Sequence, residues 1–229
     1  MGGALSMGRA PHAHVGTVVQ NQRMDVPKLL EAASLLVPEE TATENDITVR
    51  DVWPYLVADE WEVALGLLEE LGEARPLPPD FWDTLGEAAG QLLMGRSAAW
   101  CHWRSYEAEH GVVRADLTLR PTGEYRRQTP FSGAGVLRPM WDLGHRTPTG
   151  EPVVDIAALW AEFTHSLGPG DRATVRLAPL DPARWRHVLP GRVITMHEDR
   201  TVAGTAVVRE VRPPFGADAE WPDSPPGEP

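Results

Sequence analysis

The chain has one cysteine, Cys101, in 229 residues. That excludes an internal disulfide and any cage built from several thiolates, and it fits a reducing cytoplasm. No apolar run approaches the roughly 18 residues that a bilayer-spanning helix needs. The opening stretch, MGGALSMGRAPHAHVGTVVQNQR, lacks the continuous apolar core of a secretory signal. Its MGGALS has the form of an N-myristoylation site, and Met24 offers an alternative start just before the first helix signal. Signatures of common chemistry are also missing. There is no GxxxxGK(S/T) to cradle phosphates, no HExxH, no GxSxG and no GxGxxG.

What is present is ordinary in amount and uneven in placement. Hydrophobic residues make up 42% and charged residues 24%, as in a globular protein with a real core. The formal net charge of −12 is distributed in blocks. Residues 1–110 carry −11, residues 111–213 carry +3, and residues 214–229 carry −4. All fourteen cations of the middle block are arginines, whose planar fork matches carboxylates and phosphates.

The pattern divides the chain into a disordered leader (1–24), an acidic helical domain (25–110), a β domain (111–213) and a disordered proline-rich acidic tail (214–229). In DVPKLLEAASLL, Asp25 caps and Leu29, Leu30, Ala33 and Leu36 form one stripe. Pro54 keeps the next helix short. In DEWEVALGLLEELG, Asp59 and Glu62 are placed as a capping box, with Gly72 as the stop. Asp80 is expected to cap FWDTLGEAAGQLLM, and Ser97 to cap AAWCHWRSYEAEH, which ends at Gly111. Trp53, Trp61, Trp82, Trp100 and Trp103 all lie in this half, where core or interface packing is the expectation.

At Gly111 the period changes to two. Val113, Ala115, Leu117 and Leu119 alternate with Arg114, Asp116, Thr118 and Arg120, the mark of a half-buried strand. Further strands are expected at VLRPMWDL, VVDIAALWAEF, RATVRLAP, RVITMHE and TVAGTAVVREV. GAG at 133–135 and GPGD at 168–171 read as turns. The fold class is therefore α+β, an antiparallel helical array followed by an antiparallel β-barrel.

Read in order, ADLTL, RRQTPF, VLRPMWDL, the PG of LPGRVI and HEDRTVAGTAVVREV resemble the third, β-barrel domain of elongation factor Tu. Arg127, Thr129, Pro130 and Phe131 match one segment of that domain. Arg138 and Pro139 match a second, Pro190 and Gly191 a turn, and Glu198, Gly204, Val207 and Val208 the final strand. The resemblance implies a closed barrel whose last rung starts at Glu198. It also implies contacts to the aminoacyl-tRNA T stem around Glu198 and the Arg127–Thr129 segment. The GTPase domain is missing, a strand pair is missing before Glu198, and Asp199–Arg200 replaces the family's double glycine, where an aspartate repels phosphate. The binding candidates are Arg126, Arg127, Thr129, Arg138 and Glu198.

Three functions remain open. The first is a non-catalytic binding or regulatory protein, an immunity or inhibitor protein for example, whose acidic helices receive a basic protein partner. The second is a translation-linked tRNA- or RNA-binding protein. Arg114, Arg120, Arg126, Arg127 and Arg138 with Tyr125, Phe131 and Trp141 would serve it, although the field of the acidic half opposes RNA. The third is a metal-dependent enzyme using His102, Glu109 and His110. Cys101 beside His102 is read as a core residue, since neighbours on a helix point about 100° apart. His197 and Asp199 face one side of a strand without forming a recognised site. The expectation is a cytoplasmic protein with no catalytic residues, cofactor, metal or membrane contact.

Overall fold

A computed structural model of the chain describes residues 25–123 and 127–217. The candidate Arg126 lies outside the described residues, as do the leader and most of the tail. The described chain is α+β, five helices followed by a closed six-stranded antiparallel barrel.

The helices are α1 (Val26–Ser34), α2 (Trp53–Val57), α3 (Trp61–Ala74), α4 (Pro79–Gln91) and α5 (Gly95–His110). The α1 stripe buries Leu29, Leu30 and Ala33 against α3 and α4, in a core shared with Leu65, Leu68, Phe81, Trp82 and Leu85. Pro54 sits in the first turn of α2, which ends after five residues. Several helix ends differ from expectation. Asp59 stands in a left-handed turn at φ 58°, and Glu60 occupies the N-cap of α3. The capping box forms earlier, where Asp51 Oδ2 accepts from the Thr48 amide at 2.8 Å and from its hydroxyl at 2.9 Å. Neither Asp80 nor Ser97 caps, because α4 starts at Pro79 and α5 at Gly95.

Gly72 does not stop α3, which continues to Ala74. Its lack of a side chain serves packing, since a Cβ there would overlap the Trp82 indole. Gly111 ends α5 as expected, at φ 83° against the Arg212 carbonyl.

The long strands are β1 (Val112–Leu119), β3 (Met140–Arg146), β4 (Pro152–Ala161), β6 (Arg172–Pro179), β7 (Val193–Glu198) and β8 (Thr201–Arg212). Their order around the barrel is β1-β6-β4-β3-β7-β8, closing on β1. β3, β4 and β6 form a meander and β7 returns beside β3, a Greek key. Two short strands, β2 (Phe131–Ser132) and β5 (Ser166–Leu167), pair as a separate sheet, with Phe131 and Leu167 packed into the barrel core. The period-two reading of β1 holds: Val113, Ala115, Leu117 and Leu119 point into the barrel core with Leu159, Leu177, Met196 and Val208. Trp185, from a short 3₁₀ turn, packs edge-on against Trp141 inside.

The last rung begins at Thr201, not at Glu198. Glu198 ends β7 and pairs with Thr201 across the turn Asp199–Arg200. Asp199 takes φ 54°, a left-handed turn conformation that aspartate tolerates. Past β8, the Phe215 amide donates to the Ala108 carbonyl at 2.7 Å, so the chain through Ala217 runs along α5.

Candidate functional site

The outer face of the barrel toward α5 is set by strand register. Trp160 of β4 stands opposite Arg176 of β6, Arg176 opposite Arg114 of β1, and Arg114 opposite Glu210 of β8. One row across four strands thus reads Trp, Arg, Arg, Glu. Two arginines directly opposite repel each other unless a carboxylate lies between them. Glu162, just past β4, supplies it. Its Oε1 accepts from Arg114 Nε at 2.9 Å and from Arg176 Nε at 2.8 Å, and its Oε2 from Arg114 Nη2 at 2.8 Å. Arg114 also donates to Glu210 at 2.9 Å, and Arg212 forms a two-bonded pair with Glu210.

Helix α5 meets this row with a stripe at helical spacing, Trp100, Trp103, Arg104 and Glu107. Glu107 Oε2 accepts from Arg176 Nη1 at 2.5 Å, and its Oε1 from the Trp103 indole at 2.6 Å. Glu73 of α3 pairs with both Arg104 and Arg176. Trp160 packs against Trp100 at 4.9 Å and Trp103 at 5.7 Å between ring centroids. Gly135, at φ 74°, lets its loop approach both Trp103 and Trp160. The GAG segment is thus a close-approach loop as well as a turn.

Burial pushes the Glu107 carboxyl above its ordinary range, against the pull of Arg176 and Arg104. Glu162 is held below that range. Burial opposes this, but hydrogen bonds from Arg114 and the charge of Arg176 outweigh it. Glu210 is pulled down to about 2, chiefly by its bond from Arg212. A partly buried network of ion pairs of this kind fixes how helices and barrel meet more than it adds net stability.

Beside the network lies a cleft of about 570 Å³, bounded by Glu69, Arg96, Trp100, Glu162, Phe163 and Arg212 among others. It sits where α5 meets the barrel, a usual place for a ligand site. Burial raises the Glu69 carboxyl, and raises the Cys101 thiol beneath it. Cys101 is fully buried in the helical core, a packing residue as expected.

Of the expected binding residues, two meet. Arg127 Nε donates to Glu198 Oε1 at 2.7 Å, and the guanidinium lies 5.1 Å from the Phe131 ring centre. Thr129 and Arg138 are exposed, and Arg138 has no ion pair among the described residues. The arginines expected to form a stripe are divided, since Arg114 pairs with Glu162 and Glu210 while Arg127 pairs with Glu198. In the His102, Glu109 and His110 group, His102 is exposed and His110 stacks on Tyr106 at 4.3 Å. Among the described residues no group of three or more His, Cys, Asp or Glu is placed to hold a metal ion. No helix among them is long and apolar enough to cross a membrane.

Sequence reasoning passed over Glu73, Glu107, Glu162 and Arg176. The one local signal was alternation, which turns Arg114 and Arg176 outward from their strands. No family model matches the chain, and no match to it is found among curated proteins.

Proposed function

We propose that this is a non-catalytic binding protein of the cytoplasm, in which the acidic helical array receives a basic protein partner and the barrel holds that array in place. The observation that carries this reading is how the two halves use their charge. In the barrel half, seven of the thirteen described arginines are held in ion pairs with neighbouring carboxylates. In the helical half, Glu44, Asp46, Glu60, Glu62, Glu70 and Asp83 are exposed and make no ion pair among the described residues. Trp53, Val57 and Val63 are exposed on the same half, around the α2–α3 corner that carries Asp59, Glu60 and Glu62. Apolar anchors ringed by unspent negative charge suit a basic, partly apolar protein surface. An immunity or inhibitor role against such a partner is the form of binding that this charge favours.

Kinship with the third domain of elongation factor Tu belongs to the same proposal. The closed six-stranded barrel and the Arg127–Glu198 pair support it. In that view the barrel is retained as a platform, while the tRNA-facing residues neutralise each other. Two experiments test the function. A gel shift with aminoacyl-tRNA at two salt concentrations is expected to give no salt-sensitive complex, and a clear one would favour the RNA-binding alternative. Affinity capture on the immobilised full chain in native extract is expected to retain a basic protein that a salt step releases.

A further inference from the structure

We infer that the cleft between α5 and the barrel is a binding site for a small planar aromatic anion, its carboxylate or phosphate held by arginine and its flat part by Phe163. This site is separate from the acidic docking surface and does not depend on it.

The lining has more hydrogen-bond donors than acceptors. Arg114 and Arg176 each use three of their five N–H groups, Arg212 two and Arg96 one, among the described residues. The carboxylates facing them are already occupied. Glu162 binds Arg114 and Arg176, and Glu73 binds Arg104 and Arg176. The remaining lining carboxylate, Glu69, is pushed by burial toward its uncharged form. Arginine donors in surplus, with planar fork geometry, select an oxyanion.

Arg96 is the cation best placed to change partners. It is exposed, and its one bond is to the His165 ring at 2.8 Å. A cationic ligand is disfavoured because guanidinium groups already cover the indoles: Arg96 lies over Trp160, and Arg104 and Arg176 over Trp100.

The aromatic half of the ligand is read from Phe163. This residue is 100% exposed at the rim of the cleft, next in sequence to Glu162. It is held at φ 58°, a conformation that a bulky side chain rarely adopts and that costs energy. The Phe163 ring is uncovered, unlike the Trp100 indole, and so is free to stack on a flat ligand in the cleft. A volume of about 570 Å³ accommodates one or two rings with an acidic group.

Isothermal titration calorimetry on the full chain tests this with four probes: AMP, indole-3-acetate, adenosine and inorganic phosphate. The expected result is that AMP or indole-3-acetate binds, and that adenosine and phosphate bind at least about tenfold more weakly. AMP alone would assign the phosphate source, indole-3-acetate alone the carboxylate source. Arg96→Gln and Phe163→Ala alter exposed side chains and are expected to keep the melting temperature. Each is expected to weaken binding of the successful probe about tenfold. The inference is overturned if neither aromatic anion binds at millimolar concentration, if the uncharged or bare-ion probes bind equally well, or if both variants bind as the parent does.

Discussion

Gly72 shows how a single hydrogen in place of a methyl group fixes the helical core. A methyl at that position meets the Trp82 ring, which is fully packed and also carries Arg104 over its face at 4.4 Å. Gly72→Ala is expected to lower unfolding free energy by about 1–3 kcal/mol, despite alanine's better helix propensity. Denaturant titration checks it, and an unchanged or higher midpoint would contradict it. At the same scale, Glu210 and Glu162 are more acidic in the folded chain than when free. Their contribution to stability is complete above the unfolded glutamate value of about 4.3. It is lost as pH falls through the folded values, about 2 for Glu210. Glu107 works in the opposite direction, because burial raises it. The clean readout is therefore a comparison of variants. The fall in melting temperature from about pH 5 to about pH 2 is expected to be shallower in Glu210→Gln than in the parent. Parallel curves would show that Glu210 carries no such linkage.

Among the elements, helix α5 carries the main join between the two halves, and Glu73 of α3 adds to it through Arg176. Its Trp100 and Trp103 pack on Trp160, its Glu107 reaches Arg176, and its Tyr106 hydroxyl donates to the Pro179 carbonyl. Removing the barrel's side of that contact with Trp160→Ala is expected to cost about 3–5 kcal/mol. Hydrogen exchange should then accelerate in α5 more than in β7, which lies elsewhere on the barrel. Uniform acceleration would mean that the interface is not a separate layer of stability. This is also the scale at which the sequence was most informative. Alternation in VVRADLTL identified β1 and its inward face, and turn residues separated the other long strands, although β3 begins only at Met140, halfway through the expected VLRPMWDL. The helix termini were less legible, since Asp59 and Gly72 carry cap chemistry but are used for a turn and for packing. The cleft was not legible at all. Glu73, Glu107, Glu162 and Arg176 come from separate stretches of chain, and only the Arg114–Arg176 register and the docking of α5 bring them together. No local pattern encodes a register between β1 and β6, which are far apart in sequence. Arg127 and Glu198 were found because a family resemblance named both, not because a pair 71 positions apart left a trace in the sequence.

The whole molecule is a division of charge made rigid. Seven barrel arginines are spent on neighbouring carboxylates, Arg176 among them anchoring α5, while six carboxylates of the helical half remain turned to solvent. Such a field speeds association with a basic surface and weakens with salt. The most direct measurement is a paired capture from native extract, using the full chain and its Glu44→Lys/Glu62→Lys/Glu70→Lys variant, with a salt-step elution identified by mass spectrometry. All three side chains are exposed, so the variant should melt as the parent does. The expected result is a basic protein on the parent, released by salt and absent from the variant. A retained protein that binds both equally, or a salt-labile RNA in its place, would contradict it.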